Sequence, residues 1–209
     1  MKITLIDYGA GNVTSVERAL HRLGAQTQRT NSPTEIANAK ALILPGVGHF
    51  AALIRALDDH QLRTPLLNAI QRGVPFLGVC LGLQALYASS EEAPELLGLN
   101  IFSSSVRSLP TNIKLPHMGW NQLQLTRPSR LLEGISPQAY FYFAHSFAAT
   151  AANGETVALC THGTQFAAVL ETKNIFAVQF HPEKSGQPGA QLLQNFLALA
   201  SEARAGSAA

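Results

Sequence analysis

The chain has 209 residues, fifteen Lys and Arg against thirteen Asp and Glu, and two cysteines. That length fits one domain whose core needs no staples, and two cysteines are too few for a disulfide framework, so reduced thiols in a cytoplasmic protein are expected. A formal charge of +2 without a basic cluster argues against nucleic acid as a partner, no apolar run nears the roughly 18 residues of a membrane span, and no export signal is expected.

Lys2–Asp7 reads as a short strand that ends in the glycine-bearing loop Tyr8–Asn12. Val13, Val16, Leu20 and Leu23 then make a helical stripe that Gly24 can close. Ser32-Pro33-Thr34-Glu35 combines a capping box with proline at the first helical position. Ala41–Leu44 is a continuous apolar strand running into Pro45-Gly46-Val47-Gly48, as expected of a strand buried on both faces of a parallel sheet. A helix with Leu53 and Leu57 follows, then one from Pro65 to Arg72, closed by Gly73. Val74–Val79 is the next buried strand, and it delivers Cys80 into a helix starting near Gly82. This alternation predicts right-handed βαβ units, a mostly parallel central sheet and helices on both faces. Ligands in such sheets bind beyond the carboxyl ends of the strands, where Pro45–Gly48 and Cys80 fall.

The second half reads as β-rich, with strands at Asn121–Leu125, Tyr140–His145, Thr156–Cys160, Phe166–Leu170 and Ile175–Phe180. A last amphipathic helix carries Leu192, Leu193, Phe196 and Leu197. The expectation is one α/β domain over residues 1–200 and a frayed tail over 201–209.

Three segments carry chemistry. Gly78-Val79-Cys80-Leu81-Gly82 has the form of a nucleophile elbow with cysteine in place of serine. The strand-to-helix turn strains its central residue, and a helix N-terminus favours thiolate over thiol. The same pentapeptide also fits a buried structural cysteine between turn-forming glycines. In Phe180-His181-Pro182-Glu183, Pro182 biases His181 toward extended backbone, so His181 and Glu183 point the same way, a base with its orienting carboxylate. A strand-end histidine beside a solvated glutamate is the plainer alternative. Pro45–Gly48 offers bare backbone, and with the Leu81 amide, an amide near Val47 or Gly48 can donate to a developing oxyanion. Cys160-Thr161-His162 lacks the second cluster a zinc site needs, and Tyr8–Asn12 lacks the G-x-G-x-x-G and P-loop patterns. No metal and no cofactor is expected. His117 and His145 read as structural, with His145 the next base to try should His181 not serve.

Taken together, Pro45–Gly48, Gly78–Gln84 and Phe180–Glu183 resemble the class I (triad) glutamine amidotransferases in order and separation, over essentially the whole chain. Asp7–Asn12, Pro116–Asn121, Tyr142–Ser146 and His181–Ser185 are most similar to the branch of that family serving histidine biosynthesis. The resemblance implies that Cys80 attacks the amide carbon of L-glutamine, with His181 as base and Glu183 as orienter. It further implies that Gln84, Glu92 and backbone near Gly48, Ser146 and Phe147 hold the glutamine. Asn12, Trp120, Tyr142 and Lys184 would face a cyclase subunit, a (β/α)₈ barrel that consumes the ammonia. Leu83, Ala144 and Phe147 depart from the pattern, which has Met, a larger aliphatic and Tyr there. Subunits serving anthranilate or aminodeoxychorismate synthesis, a stand-alone γ-glutamyl hydrolase and an inactive scaffold are the competing readings.

Overall fold

The computed structural model describes residues 2–9, 12–151 and 154–206. Five strands make the parallel part of the central sheet: β1 (Lys2–Ile6), β2 (Gln26–Thr30), β3 (Leu42–Gly46), β4 (Phe76–Cys80) and β13 (Ile175–Val178). Beyond β13 the sheet turns antiparallel through β12 (Thr164–Thr172), β11 (Thr156–His162) and β8 (Gln124–Leu125). The order across it is β2-β1-β3-β4-β13-β12-β11-β8. Thus β4, with Cys80 at its end, lies between β3 and β13, which lead to Val47 and His181.

Side chains that alternate along a strand feed two cores. Leu5 and Ile43 pack on the face covered by α1 (Val13–Arg22) and α6 (Gly186–Gly206), while Ile6, Leu42 and Leu44 pack on the face covered by α3 (Phe50–Asp59) and α4 (Arg63–Gln71). Every residue of β3 and β4 is buried, as continuous apolar strands between two helical layers should be. Ser32 caps α2 (Pro33–Ala37) by accepting from the Glu35 N–H at 3.5 Å.

The structure adds strands that the apolar pattern does not announce. β2 reads Gln-Thr-Gln-Arg-Thr and lies at the sheet edge with only Thr30 buried. A three-stranded sheet joins β5 (Tyr87–Ser90), β6 (Phe102–Ser108) and β10 (Phe147–Ala149). β6 is four-sevenths serine, a composition that β-propensity disfavours and tertiary packing overrides. The expected strand over Asn121–Leu125 is two pieces: β8 stays in the main sheet, and β7 (His117–Gln122) pairs instead with β9 (Tyr140–His145). The helix after Cys80, α5 (Leu81–Gln84), is a single turn. α6 continues through Ser201 to Gly206 where a frayed tail was expected. Its Glu, Ala and Arg are good helix formers, and Ser201 Oγ donates to the Leu197 carbonyl at 2.9 Å. Residues 207–209, and Ala10 and Gly11 of the first loop, lie outside the described residues.

Candidate active site

Cys80 sits in the left-handed region, at φ 54° and ψ −105°, where a non-glycine residue is held only by its surroundings. Gly78 and Gly82 are what allow it. A Cβ on Gly78 would lie 2.6 Å from the Gly82 carbonyl oxygen, and one on Gly82 would lie 1.9 Å from that of Leu44. The elbow is therefore pressed against itself and against β3. With only four residues in α5 the macrodipole at the thiol is small.

His181 leaves β13 extended, at φ −101° and ψ 95°. Its N–H donates to the Tyr142 carbonyl at 2.8 Å. Buried Ser185 donates from Oγ to the His181 carbonyl at 2.6 Å and accepts from the Tyr142 N–H at 3.0 Å. The carboxylate then arrives on a turn and not along a strand: Pro182–Lys184 is one turn of 3₁₀ helix, and it swings Glu183 Oε1 to 2.9 Å from His181 Nδ1. Asn12, expected to face a partner, gives its side-chain amide to the same Glu183 oxygen and leaves the α1 N-terminus without a side-chain cap. The His181 ring also meets Cys80, whose side chain is one of the two partners that raise its pKa. Burial alone would lower the His181 pKa, but its bonds to Cys80 and Glu183 and their negative charge outweigh that and hold it well above 6.5.

Sequence reasoning missed Gln179. It is fully buried, donates to Cys80 Sγ at 3.6 Å and accepts from Gln84 Nε2 at 3.1 Å. Its signal was available: it is the one polar residue in Ile-Phe-Ala-Val-Gln-Phe.

A cavity opens beside the thiol, lined by Val47, Gly48, Leu81, Gln84, Glu92 and the Ala144–Phe147 segment. Gln84 braces this cavity: its Nε2 donates to the Phe147 carbonyl at 2.8 Å as well as to Gln179. Glu92 accepts from the Phe50 N–H at 2.7 Å, at the first turn of α3. Gly46 and Gly48 differ in freedom. A Cβ on Gly46 would meet Leu81 Cβ at 2.7 Å, whereas Gly48 is exposed with φ +99° and open space around it. The loop can pivot at Gly48 and is wedged at Gly46. Tyr8 lies behind it, its hydroxyl pushed up to about 12 by burial and set against the Val47 backbone.

His145 is no substitute base, because both its ring nitrogens are engaged inside the protein, one with Phe147 and one with His117. Cys160 is buried, its thiol pushed up to about 12 by desolvation, and among the described residues no group of three or more His, Cys, Asp or Glu is placed to hold a metal. A wider groove between α2 and α4 contains Arg63 and Arg72, but these are spent on Asp58 and on the Ala37, Leu97 and Gly98 carbonyls.

The β7–β9 pair has two unlike faces. His117, Phe141, Phe143 and His145 are buried, while Met118, Trp120 and Tyr140 are 65%, 56% and 52% exposed. Trp120 meets Tyr142 edge to face, and Lys184, next to Glu183, holds its ammonium over the Tyr142 ring.

The family model of class-I glutamine amidotransferases matches residues 4–200. The chain belongs to that family. Among its relatives, this class-I amidotransferase is 45% identical over 195 residues to the imidazole glycerol phosphate synthase subunit HisH of Moorella thermoacetica, covering 93% of each chain. It is 42% identical over 211 residues to that of Salinibacter ruber, covering 97% of each. A crystal structure of a glutamine amidotransferase superposes with a TM-score of 0.76 at 20% identity, over 95% of this chain and 98% of the other. A putative GMP synthase subunit of Thermoplasma acidophilum gives 0.70 at 21% identity, over 100% and 98%. At those identities the structures speak for the fold alone. Among the described residues no helix of this amidotransferase is long and apolar enough to cross a membrane.

Proposed function

We propose that the chain is the glutaminase subunit of an imidazole glycerol phosphate synthase, hydrolysing L-glutamine to glutamate and ammonia at Cys80. The observation that carries this reading is the strained Cys80 placed against His181, with Glu183 behind the ring and a small polar cavity in front. The thiolate attacks the side-chain amide carbon of glutamine. Backbone N–H groups at Leu81 and near Val47 or Gly48 stabilise the oxyanion, worth about 10²–10³ in turnover per donor. His181 gives its proton to the departing ammonia, leaving a thioester on Cys80. It then takes a proton from water, whose oxygen attacks the thioester carbon, and glutamate leaves as the thiolate re-forms. Glu183, held by Asn12, keeps the His181 ring in place. Glu92 supplies the anion for the α-ammonium of glutamine, and the Ser146–Phe147 backbone borders its carboxylate.

The ammonia goes to a cyclase subunit, a (β/α)₈ barrel, that forms imidazole glycerol phosphate and AICAR. Met118, Trp120 and Tyr140 form an exposed apolar face suited to docking, flanked by Tyr142 and Lys184 and joined to the site by the His181–Tyr142 bond. Free cysteines agree with a cytoplasmic location. The test is glutamine turnover by the chain alone, with the cyclase, and with cyclase plus its nucleotide ligand. Stimulation at the last step and glutamine-dependent cyclisation are expected. Equal turnover in all three, without cyclisation, would favour a stand-alone γ-glutamyl hydrolase.

A further inference from the structure

Beneath the exposed face of β7 and β9 lies a run of hydrogen bonds that the hydrolysis itself does not use. Asn121 Nδ2 is 3.3 Å from His117 Nε2, His117 Nδ1 is 3.0 Å from His145 Nε2, and His145 Nδ1 is 2.9 Å from the Phe147 carbonyl oxygen. Ring nitrogens leave donor and acceptor undecided, but here both ends of the run decide them.

At one end, Asn121 Oδ1 accepts from the Gln122 N–H at 2.8 Å, and Asn121 Nδ2 donates to the Thr161 carbonyl at 3.0 Å. A flipped amide would set oxygen against oxygen and N–H against N–H. Nδ2 therefore faces His117 as a donor, and His117 Nε2 must accept. At the other end a carbonyl can only accept, so His145 Nδ1 must carry a proton. A neutral ring has one N–H, which leaves His117 Nδ1 as the donor and His145 Nε2 as the acceptor between them. The four groups have a single arrangement, running one way. A second proton on either ring would set two donors face to face.

The surroundings keep the rings neutral. His117 stacks on Phe143 and His162 with ring centroids 4.7 and 4.1 Å apart, and Phe166 packs edge-on to His145. Burial, as the largest influence, pushes His117 down to about 4 and His145 to about 3, with the nearby rings of His162 and, for His145, His117 and His181 adding to it. His162 itself is tied by Nε2 to the Lys114 carbonyl at 2.9 Å.

We infer that His117 and His145 are positioning residues, a directional hydrogen-bond chain from Asn121 that fixes the Phe147 carbonyl and with it one wall of the glutamine cavity. That carbonyl also receives Gln84 Nε2, and the preceding carbonyl, of Ser146, is taken by the Leu109 N–H at 2.9 Å. Both peptide planes are thereby locked where the chain passes from β9 to β10, and turning either would orphan buried polar groups. Aligned donors strengthen one another in a buried run. The chain starts on the strand that carries Trp120, so it ties the register of the docking sheet to the cavity.

The identity of the ligand rests on the glutaminase reading; the direction of the chain does not. The first experiment is nitrogen NMR of the histidine-labelled full chain, assigned with His117→Phe and His145→Asn. At pH 7 both rings should show a protonated Nδ1 and a bare Nε2. A protonated Nε2 on either overturns the chain whatever the ligand is. The second is glutamine kinetics with the cyclase bound. His117→Phe keeps the stacked ring and removes the donor, and should raise KM for glutamine about fivefold, the worth of one hydrogen bond, with kcat little changed. His117→Asn restores a donor at the position of Nδ1 and should recover most of it. Asn121→Asp, at the partly exposed end, replaces donor by acceptor and should add a proton at His117 Nε2 while Nδ1 keeps its own, without unfolding the protein. A lowered melting temperature with KM and tautomers unmoved would overturn the positioning role. Absence of glutamine turnover in the unaltered protein would strike the glutaminase reading instead, and leave the tautomers to decide the chain.

Discussion

Two regions of this molecule gather cysteine and histidine, and they hold them in opposite states. At the strand ends, Cys80 and His181 meet on strained backbone with Glu183 behind them. Under β7 and β9, His117 and His145 bond to each other and to neutral amide and carbonyl groups, and Cys160 lies buried on neighbouring β11. In the first region Cys80 and the Glu183 carboxylate together overcome desolvation and raise the His181 pKa; in the second, without such partners, desolvation lowers those of His117 and His145. What separates a reactive pair from a structural one here is the charge partner and the backbone, not the residue types.

The sharpest way to break this comparison is to exchange the cysteines' fates. Cys80→Ala should lower glutamine turnover by more than about 10³-fold, as loss of a nucleophile does, while ammonia-dependent cyclisation by the complex survives. Cys160→Ala should leave turnover intact and cost about 1 kcal/mol of stability. A glutamine-like affinity label should modify Cys80 and spare Cys160, whose thiol is pushed up to about 12. Labelling of Cys160 first, read by peptide mass mapping, would undo the distinction.

Next in size is the base against its orienter. His181→Ala should cost about 10²–10⁴-fold in kcat. Glu183→Gln should cost less, because an amide oxygen can still accept from His181 Nδ1, and the Asn12 amide that donates to this position selects that orientation. Turnover in His181→Ala equal to that of Glu183→Gln would place the base elsewhere.

How far the sequence foretells these two regions follows from their physics. The parallel half of the sheet was legible because β3 and β4 are continuous apolar runs, and the elbow because its glycines are demanded by contacts of 2.6 Å or less. β5 and β6 were not, being serine-rich segments that become strands only by pairing. His181 and Glu183 were legible as a pair, though the expected extended backbone gives way to a 3₁₀ turn at Pro182–Lys184. The Asn12–Glu183 bond spans 171 positions, and no local pattern encodes it. His117 and His145, 28 positions apart, meet through the β7–β9 register, which a strand prediction starting at Asn121 does not contain.

The two regions also predict opposite responses to acid and alkali. The folded pKa values of His117 and His145, about 4 and about 3, lie below the 6.5 of the unfolded chain. Between those limits the unfolded state binds more protons, so this contribution is complete above about pH 6.5 and is lost as pH falls toward about 4 for His117 and about 3 for His145. For His181 the folded value is raised, so its contribution is complete below 6.5 and is lost as pH rises through that higher value. Urea unfolding between pH 7 and 5 should show falling stability in the unaltered protein and a shallower fall in His117→Phe. Equal slopes would mean that the buried imidazoles are not the acid-sensitive groups.

The smallest effect expected separates holding the substrate from holding the fold. Glu92 does both: it lines the cavity and accepts from the Phe50 N–H at the start of α3, where His49 Nδ1 also accepts, from the Ala51 N–H at 3.1 Å. Glu92→Gln keeps an acceptor oxygen for Phe50 and removes the charge. At a helix N-terminus that charge is worth about 0.3–1 kcal/mol, so the melting temperature should drop only slightly, the more so because His49 continues to cap. For glutamine, the same change removes the only carboxylate that lines the cavity among the described residues, and a hydrogen bond to a charged group is worth about 1.5–3 kcal/mol. KM should therefore rise by about tenfold or more while kcat changes little, since the α-ammonium lies at the far end of the substrate from the scissile amide. Measuring both in one variant gives the test its edge. A large loss of stability with KM unmoved would make Glu92 a helix cap that merely borders the cavity, and the ammonium would need another partner.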